Sequence, residues 1–303
     1  MKKTRNIARR PRGHKPLIGK LVIFGAGLIG GSFALALKKR RAVARVVGVG
    51  RSRANLLAAR RLGIIDEIAT DPASAVKNAD LVLLAVPLGQ TRAVLAQIAP
   101  HLAPHTVVSD AGSTKRDVIE AARRQLGGAF ARFVPAHPIA GTEKSGARAA
   151  FAELFAGCNV ILTPESETAP RAVRLVSAAW KLAGMRVITM AAAEHDRMFA
   201  LVSHLPHLLS FTAVGNIAGY PDAAKLFQHT GGGFRDLTRI AGSSPEMWRD
   251  ICVANRDAIL DALDGYLSDL EAVRGMVEAS DEPALEAKFA FARAARAKWL
   301  LKK

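Results

Sequence analysis

The sequence of 303 residues predicts an α/β unit built on a parallel sheet, followed by an all-α unit. Three observations lead there. Up to Met190, short apolar runs of β type alternate with amphipathic helical runs. The first apolar run ends in a glycine-rich loop that opens straight into a helix. From Ala191 onward the β-type runs stop, and apolar residues recur at helical spacing. The expected organisation is a basic, disordered tail over 1–20, an α/β domain over 21–190 and a helical domain over 191–303.

The tail is rich in Lys and Arg but has no apolar segment of the kind a secretory signal carries. Leu21-Val22-Ile23-Phe24 then reads as a strand, Gly25-Ala26-Gly27-Leu28-Ile29-Gly30 as a tight loop, and Gly31–Leu37 as a helix ending in basic residues. Strand, GxGxxG and helix in that order form a dinucleotide fingerprint of the Rossmann type. The first glycine allows the turn, the second lets backbone approach a pyrophosphate, and the third lets helix and strand pack closely. The helix N-terminus adds N–H groups and a positive dipole end.

The second strand, Arg45–Val49, leads into Gly50-Arg51-Ser52-Arg53. An NAD site carries an acidic residue here to accept bonds from the ribose. Two arginines around a serine suit a 2′-phosphate better, so NADP is the preferred cofactor. If Arg51 and Arg53 merely start a helix, NAD stays usable.

Further along, Asp80–Pro87, Thr106–Ser109 and Arg132–Pro135 read as strands, separated by helices over Thr91–Ile98 and Asp117–Leu126. Asn159–Pro164 and Met185–Met190 read as two more strands around a helix over Ala169–Ala183. Ligands of such sheets bind beyond the carboxyl ends of the strands. Val86-Pro87, Asp110-Ala111-Gly112-Ser113-Thr114-Lys115 and His137–Gly141 are therefore expected on one rim with the glycine loop. The stretch His137–Gly146, HPIAGTEKSG, has no helical or strand periodicity of its own.

In the second half, helices are expected over Ala193–Gly219, Ala223–Gln228, Pro245–Val277 and Glu282–Leu301, with a kink or break at Pro206. No domain is expected beyond the last helix. The stripe Ile251, Ala254, Ala258, Leu263, Tyr266, Leu267 and Leu270 suits core or a subunit interface, and a homodimer through this domain is expected. Three polar clusters stand out. In Ser203-His204-Leu205-Pro206-His207, two imidazoles can face a substrate, and no carboxylate or cysteine nearby supports a metal. In Gly231–Ala241, three glycines permit close backbone approach, Arg235 or Arg239 can fork a carboxylate, and Asp236 can hold the arginine. Ser244–Asp250 reads as a capped helix start with Trp248.

Composition narrows the function. The formal net charge of +17 favours anionic ligands. The basic residues are scattered and aromatics make up only 6%, so nucleic acid is not expected. Charged residues and glycines interrupt every apolar run, so no membrane span is expected. Two cysteines, Cys158 and Cys252, make neither a disulfide framework nor a metal cluster and point to a reducing cytoplasm.

Six blocks occur together in this order: Gly25–Ser32, Asp110–Lys115, His137–Gly146, Ser203–His207, Gly231–Ala241 and Pro245–Asp250. In this the chain resembles the prephenate/arogenate (cyclohexadienyl) dehydrogenases of tyrosine biosynthesis. The resemblance implies oxidative decarboxylation of prephenate, and of arogenate as a possible second substrate, with a nicotinamide cofactor. It implies that His137 takes the substrate's hydroxyl proton and that Ser113 orients imidazole and hydroxyl. It places Arg239 on the side-chain carboxylate with Asp236 in support, and His204 and His207 close to the substrate. Thr142, Glu143 and Trp248 are implied to line or gate the pocket. Two rivals remain. A β-hydroxyacid dehydrogenase relies on a helical lysine, and the helical half is poor in lysine. A non-catalytic dinucleotide sensor has no need of His137, Ser113 and Arg239 together.

Overall fold

Runs such as Leu-Val-Ile-Phe, apolar at every position, form strands only when both sheet faces are covered. The computed structural model describes residues 15–142 and 144–301. Among them, β1 (Ile18–Phe24), β2 (Val43–Val49), β3 (Glu67–Ile68), β4 (Leu81–Leu84), β5 (Val107–Asp110) and β6 (Phe133–Val134) form one sheet, ordered β3-β2-β1-β4-β5-β6 and parallel throughout. The order reverses between β1 and β4, which opens the crevice where this fold binds ligands. β1 starts at Ile18, ahead of the Leu21 run that marks it in the sequence. Most of the basic tail, residues 1–14, lies outside the described residues.

Helices cover both faces. They are α1 (Leu28–Lys39), α2 (Arg53–Arg61), α3 (Pro72–Val76), α4 (Leu88–Ile98), α5 (Arg116–Leu126) and α6 (Pro170–Leu182). Alternation along β1 sends Leu21 and Ile23 into one core and Val22 and Phe24 into the other. The first core holds Phe33 against Trp180, ring centroids 4.4 Å apart, with Phe155 edge-on to Trp180 at 5.3 Å. β3 and α3 escape the sequence reading because each is too short to show a period. Asp71 nonetheless caps α3, accepting from the N–H groups of Ala73 and Ser74.

One expectation needs correction. The late strands do not extend the main sheet. β7 (Ala136–Pro138), β8 (Asn159–Leu162) and β9 (Arg186–Thr189) form a separate sheet, with β7 antiparallel to β8 and β8 parallel to β9. The chain passes from β6 to β7 with only Pro135 between, so His137 sits in a strand and not in a loop.

The second half is helical: α7 (Ala192–Phe199), α8 (Leu205–Ala218), α9 (Ala223–Gln228), α10 (Gly232–Thr238), α11 (Pro245–Ala254), α12 (Arg256–Glu278) and α13 (Glu282–Leu300). Three features differ from expectation. Pro206 does not break the chain; the turn before it, Ala200–His204, widens into a π-helix that joins α7 to α8. The resulting run, Ala192–Ala218, is long and apolar enough by length and composition to cross a membrane. Charged and glycine residues thus interrupt the hydropathy less than the sequence suggested, but the run is anchored to the sheet domain through Asp196. The helix expected over Pro245–Val277 breaks at Asn255, a buried residue. The glycines 231–233 mostly enter α10, and a Cβ on any of them would meet open space, so no close approach within this chain requires them.

Candidate active site

The glycine loop is shaped for a ligand. Gly25 has φ +92°, and a Cβ there would lie 2.2 Å from the Ala85 carbonyl. At Gly30 a Cβ would lie 2.3 Å from the Gly25 carbonyl. Both are held to glycine by packing. At Gly27 a Cβ would meet nothing within 4 Å, so the space it would fill is open. Gly27 N-caps α1 without a side-chain cap, leaving the first-turn N–H groups, those of Leu28 and Ile29 among them, free for an anion. Val86 and Pro87 follow β4 on the opposite side of the crevice, and Pro87 caps α4. These residues fit a dinucleotide.

β2 ends without an acid. Ser52 uses its hydroxyl to cap α2, accepting from Asn55 N at 3.2 Å. Arg51 and Arg53 are exposed, and Arg51 lies 3.5 Å from Glu246 of α11 across the cleft. Asn55 ties the loops together. Its amide donates to the Ala26 carbonyl at 3.1 Å, and its oxygen accepts from Ala147 N at 2.8 Å.

His137 is set by a clamp at the end of β5. Asp110 accepts from Ala136 N at 2.9 Å through Oδ1, and from Gly112 N and the Lys115 ammonium through Oδ2, at 2.8 and 2.5 Å. Lys115 Nζ also donates to the Ala136 carbonyl at 2.8 Å. Both side chains are buried. Together they pin the residue before His137 on its N–H and its carbonyl.

The His137 side chain then crosses to the helical half. Its Nδ1 lies 2.8 Å from His195 Nε2, and His195 Nδ1 lies 2.8 Å from Asp196 Oδ1. Asp196 also caps α5, accepting from Lys115 N at 2.8 Å and Arg116 N at 2.9 Å. Phe199 stacks on His195, with ring centroids 4.5 Å apart, and leans on His137 at 4.8 Å. His195 is fully buried, whereas His137 keeps part of its surface open. Burial is the main force holding the His137 imidazole well below the ordinary value of 6.5, and the unfavourable charge coupling to His195, Lys115 and His204 that protonating it would bring adds to it. Burial would raise Asp196; the hydrogen bonds from His195, Arg116 N and Lys115 N outweigh it and keep the group a carboxylate.

A second imidazole group adjoins the first. His204 is fully buried, and burial lowers its pKa to about 4. Its Nδ1 lies 3.1 Å from Asn255 Nδ2, which also donates to the Asp196 carbonyl at 2.8 Å. The Ser113 backbone interacts with His204, placing the rim after β5 beside the π-helical turn. His207 stacks on Trp248 at 3.8 Å, and its Nδ1 donates to the Ser203 carbonyl at 2.8 Å. Trp248 Nε1 is buried and has no hydrogen-bond partner among the described residues. The Arg239 guanidinium acts on His207, lowering its pKa after the larger effect of burial.

The structure therefore gathers His137, Ser113, His204, His207, Trp248 and Arg239 along the seam between the two halves. Asp236 is exposed on α10, and Thr142 is exposed on the loop after β7, where its hydroxyl accepts from Lys144 N. Glu143 lies outside the described residues. Among the described residues no three His, Cys, Asp or Glu side chains converge as a metal ion needs. The sequence reading missed His195, Asp196 and Asn255. An adjacent His-Asp pair at the start of the first helix of the helical half was the available signal for the first two.

Comparison with known proteins gives the family. Residues 33–189 match the model of the prephenate dehydrogenase nucleotide-binding domain, and residues 191–291 that of the prephenate dehydrogenase dimerization domain. Cyclohexadienyl dehydrogenase of Zymomonas mobilis is 38% identical over 263 residues, 86% of this chain and 89% of that protein. Prephenate dehydrogenase of Bacillus subtilis is 38% identical over 86% of this chain and 71% of its own length. A crystal structure of prephenate dehydrogenase from Aquifex aeolicus, in complex with hydroxyphenyl propionate and NAD+, superimposes with a TM-score of 0.86 at 33% identity. That match covers 92% of this chain and 98% of the other. With both domain models matched in order and relatives of this identity along most of its length, the chain belongs to the prephenate dehydrogenase family.

Proposed function

We propose that this chain oxidatively decarboxylates prephenate, accepts arogenate as a second substrate, and uses NADP in preference to NAD. The observation that carries the reading is His137. It is a neutral, partly open imidazole on the strand that leaves the sheet's carboxyl edge, held from behind by His195. A nicotinamide dinucleotide, seated on Gly25, Gly27, Leu28, Ile29, Gly30, Val86 and Pro87, would supply the hydride acceptor.

The chain's own residues have a modest task, because aromatisation of the ring drives loss of CO₂. His137 Nε2 takes the hydroxyl proton, and its low pKa keeps it unprotonated and ready to do so at neutral pH. Ser113 orients that hydroxyl. Arg239 grips the side-chain carboxylate, with Asp236 shaping the local charge, while His204, His207 and Trp248 wall the pocket. Trp248 Nε1, buried and without a partner in the described structure, offers the substrate a donor. For Thr142 and Glu143 the reading is a part in lining or gating the pocket. The absence of an acid after β2, with Arg51 and Arg53 in its place, supports NADP.

Assembly as a homodimer fits the matched dimerization domain and the apolar side chains that α12 and α13 leave exposed. Two free cysteines fit a reducing cytoplasm.

The test is reduction of cofactor followed at 340 nm, with prephenate and arogenate each crossed against NAD and NADP. His137→Asn is expected to lower kcat by roughly 10²–10⁴-fold while cofactor still binds. Turnover by that variant near the wild-type rate would remove His137 from the mechanism. No reduction under any of the four conditions would remove the reaction itself.

A further inference from the structure

We propose that His195 and Asp196 are positioning residues for this reaction: they lock His137 as its Nδ1–H tautomer, with Nε2 the free base, and stabilise the imidazolium it becomes. The proposal rests on His137 being the base.

Hydrogen-bond polarity carries the argument. Asp196 stands opposite three N–H groups. Its Oδ1 faces Lys115 N and His195 Nδ1, both at 2.8 Å, and its Oδ2 faces Arg116 N at 2.9 Å. The two backbone groups can only donate, so Asp196 accepts from both, and an ionised carboxylate has the lone pairs for the third. The proton between Asp196 and His195 therefore sits on His195 Nδ1. A neutral imidazole carries one proton, so His195 Nε2 is an acceptor. His137 Nδ1 lies 2.8 Å from it and must donate. That leaves the lone pair of His137 on Nε2.

Nothing in this chain of polarity is free to invert. The Asp196 carboxylate is held by two backbone N–H groups at the start of α5, and its own carbonyl accepts from Asn255 Nδ2 at 2.8 Å. The His195 ring is fully buried and stacked on Phe199, with planes 29° apart. The Asn255 contact breaks the helical run between α11 and α12, so the interruption of that long helix serves the same network.

The charge balance points the same way. The groups facing His137 and His195 are Lys115 and Asp110 at the end of β5, His204 on the π-helical turn, and Asp196 on α7. Lys115 and Asp110 are already paired with each other. Asp196 is then the remaining anion among these groups, and it reaches His137 only through His195. As His137 takes the substrate's proton at Nε2, its Nδ1–H bond to His195 strengthens, and the carboxylate two bonds away stabilises the new cation.

Two kinds of measurement test this. In the wild-type protein, ¹⁵N NMR of the imidazoles should show His137 with a protonated Nδ1 and an unprotonated Nε2. The opposite tautomer overturns the proposal, and this readout needs no substrate. If the wild type reduces no cofactor, the reaction reading fails while the nitrogen shifts still decide the tautomer.

The second measurement is kinetic. His195→Phe keeps the ring's bulk and removes the acceptor; it should lower kcat by about 10²-fold with KM within about threefold. His195→Gln restores a carbonyl acceptor and should recover most of that loss. Asp196→Asn removes the charge that favours the cation, so the acid limb of kcat/KM should move to lower pH. A His195→Phe enzyme with wild-type kcat overturns the proposal. So does a loss in which kcat and KM change together, His195→Gln is no better than His195→Phe, and the acid limb stays in place.

Discussion

The two halves of this molecule handle apolar surface in opposite ways. The sheet domain buries it. One of its two cores spans β1 to α6 and the other β1 to β6, and Trp180, Phe33, Phe133 and Phe155 are almost wholly enclosed. Among the described residues, the helical domain gathers Ala200, Leu205, Ile259 and Ala262 into a small buried cluster. It leaves Leu267 50%, Leu270 51% and Phe291 76% exposed. A monomer rarely keeps that much apolar area in water. The first half encloses its own apolar core, and the second leaves apolar surface that the proposed homodimer would cover. The site lies on the seam. His137 is fixed by the sheet domain, and the residue that bonds its ring, His195, comes from the helical one, as do the neighbouring His204 and His207.

The largest effect should come from breaking the helical half's outer face. Leu267→Glu with Leu270→Glu would pass as a mild surface change in an isolated chain. In a homodimer the pair removes the remaining burial of four half-exposed leucines, roughly half of 1.5–3 kcal/mol each, and forces four carboxylates into the interface, so association should weaken by about 6 kcal/mol or more. Sedimentation should show the variant as a monomer with its sheet-domain circular dichroism intact. A variant that sediments like wild type would place the dimer face elsewhere and weaken the contrast between the halves.

Next in size is the core of the other half. Trp180→Ala empties the space between Phe33 and Phe155 and should cost about 3–5 kcal/mol of stability. That loss should persist at protein concentrations low enough to dissociate the dimer, because the core lies within one chain. A cost that vanishes on dilution would mean that the sheet domain is not self-sufficient.

The same contrast explains what could be read from the sequence. The glycine loop, the strand–helix alternation and the basic pair after β2 were legible because each is set by local order and short-range geometry. His137 was legible as a site residue through the block around it, but its strand was not. β7 exists only because Asp110 and Lys115 grip Ala136 and because β8 supplies an antiparallel partner from over twenty residues away. His195 and Asp196 look like ordinary polar residues at the start of a helix. Their roles depend on contacts with chain far earlier, Asp196 capping α5 some eighty residues before it and His195 bonding His137. Asn255 was hidden for the opposite reason: the apolar period runs straight through it from α11 into α12, and only its bonds to Asp196 and His204 show why the helix breaks there.

The buried imidazoles make the seam acid-sensitive, and the sign follows from linkage. His204 titrates at about 4 in the folded protein and near 6.5 once unfolded. Below 6.5 the unfolded chain binds the proton and the native state does not, so stability is complete above 6.5 and drains away as pH falls towards 4. The total is on the order of 3 kcal/mol for this one group. His137 and His195 shift in the same direction. Thermal melts at fixed protein concentration should therefore fall more steeply between pH 6.5 and 4 than those of His204→Gln. Parallel slopes would mean that His204 is not buried in its neutral form.

The smallest effect separates the cofactors, and it too turns on the seam. Arg51 belongs to the sheet domain, but the carboxylate beside it, Glu246, belongs to α11. Its side chain is 70% exposed, so water screens whatever it binds. A buried fork on a 2′-phosphate would be worth several kcal/mol; an exposed one that must also leave Glu246 should be worth about 1 kcal/mol, or a factor of five or so. Arg51→Ala should therefore lower kcat/KM for NADP by about fivefold and leave NAD nearly unchanged, while Arg53→Ala, at the first position of α2, should do less. Glu246→Gln should move the ratio the other way by freeing the guanidinium. If Arg51→Ala lowers both cofactors equally, the arginine serves the closure of the two halves and not the phosphate, and the sequence after β2 has been misread.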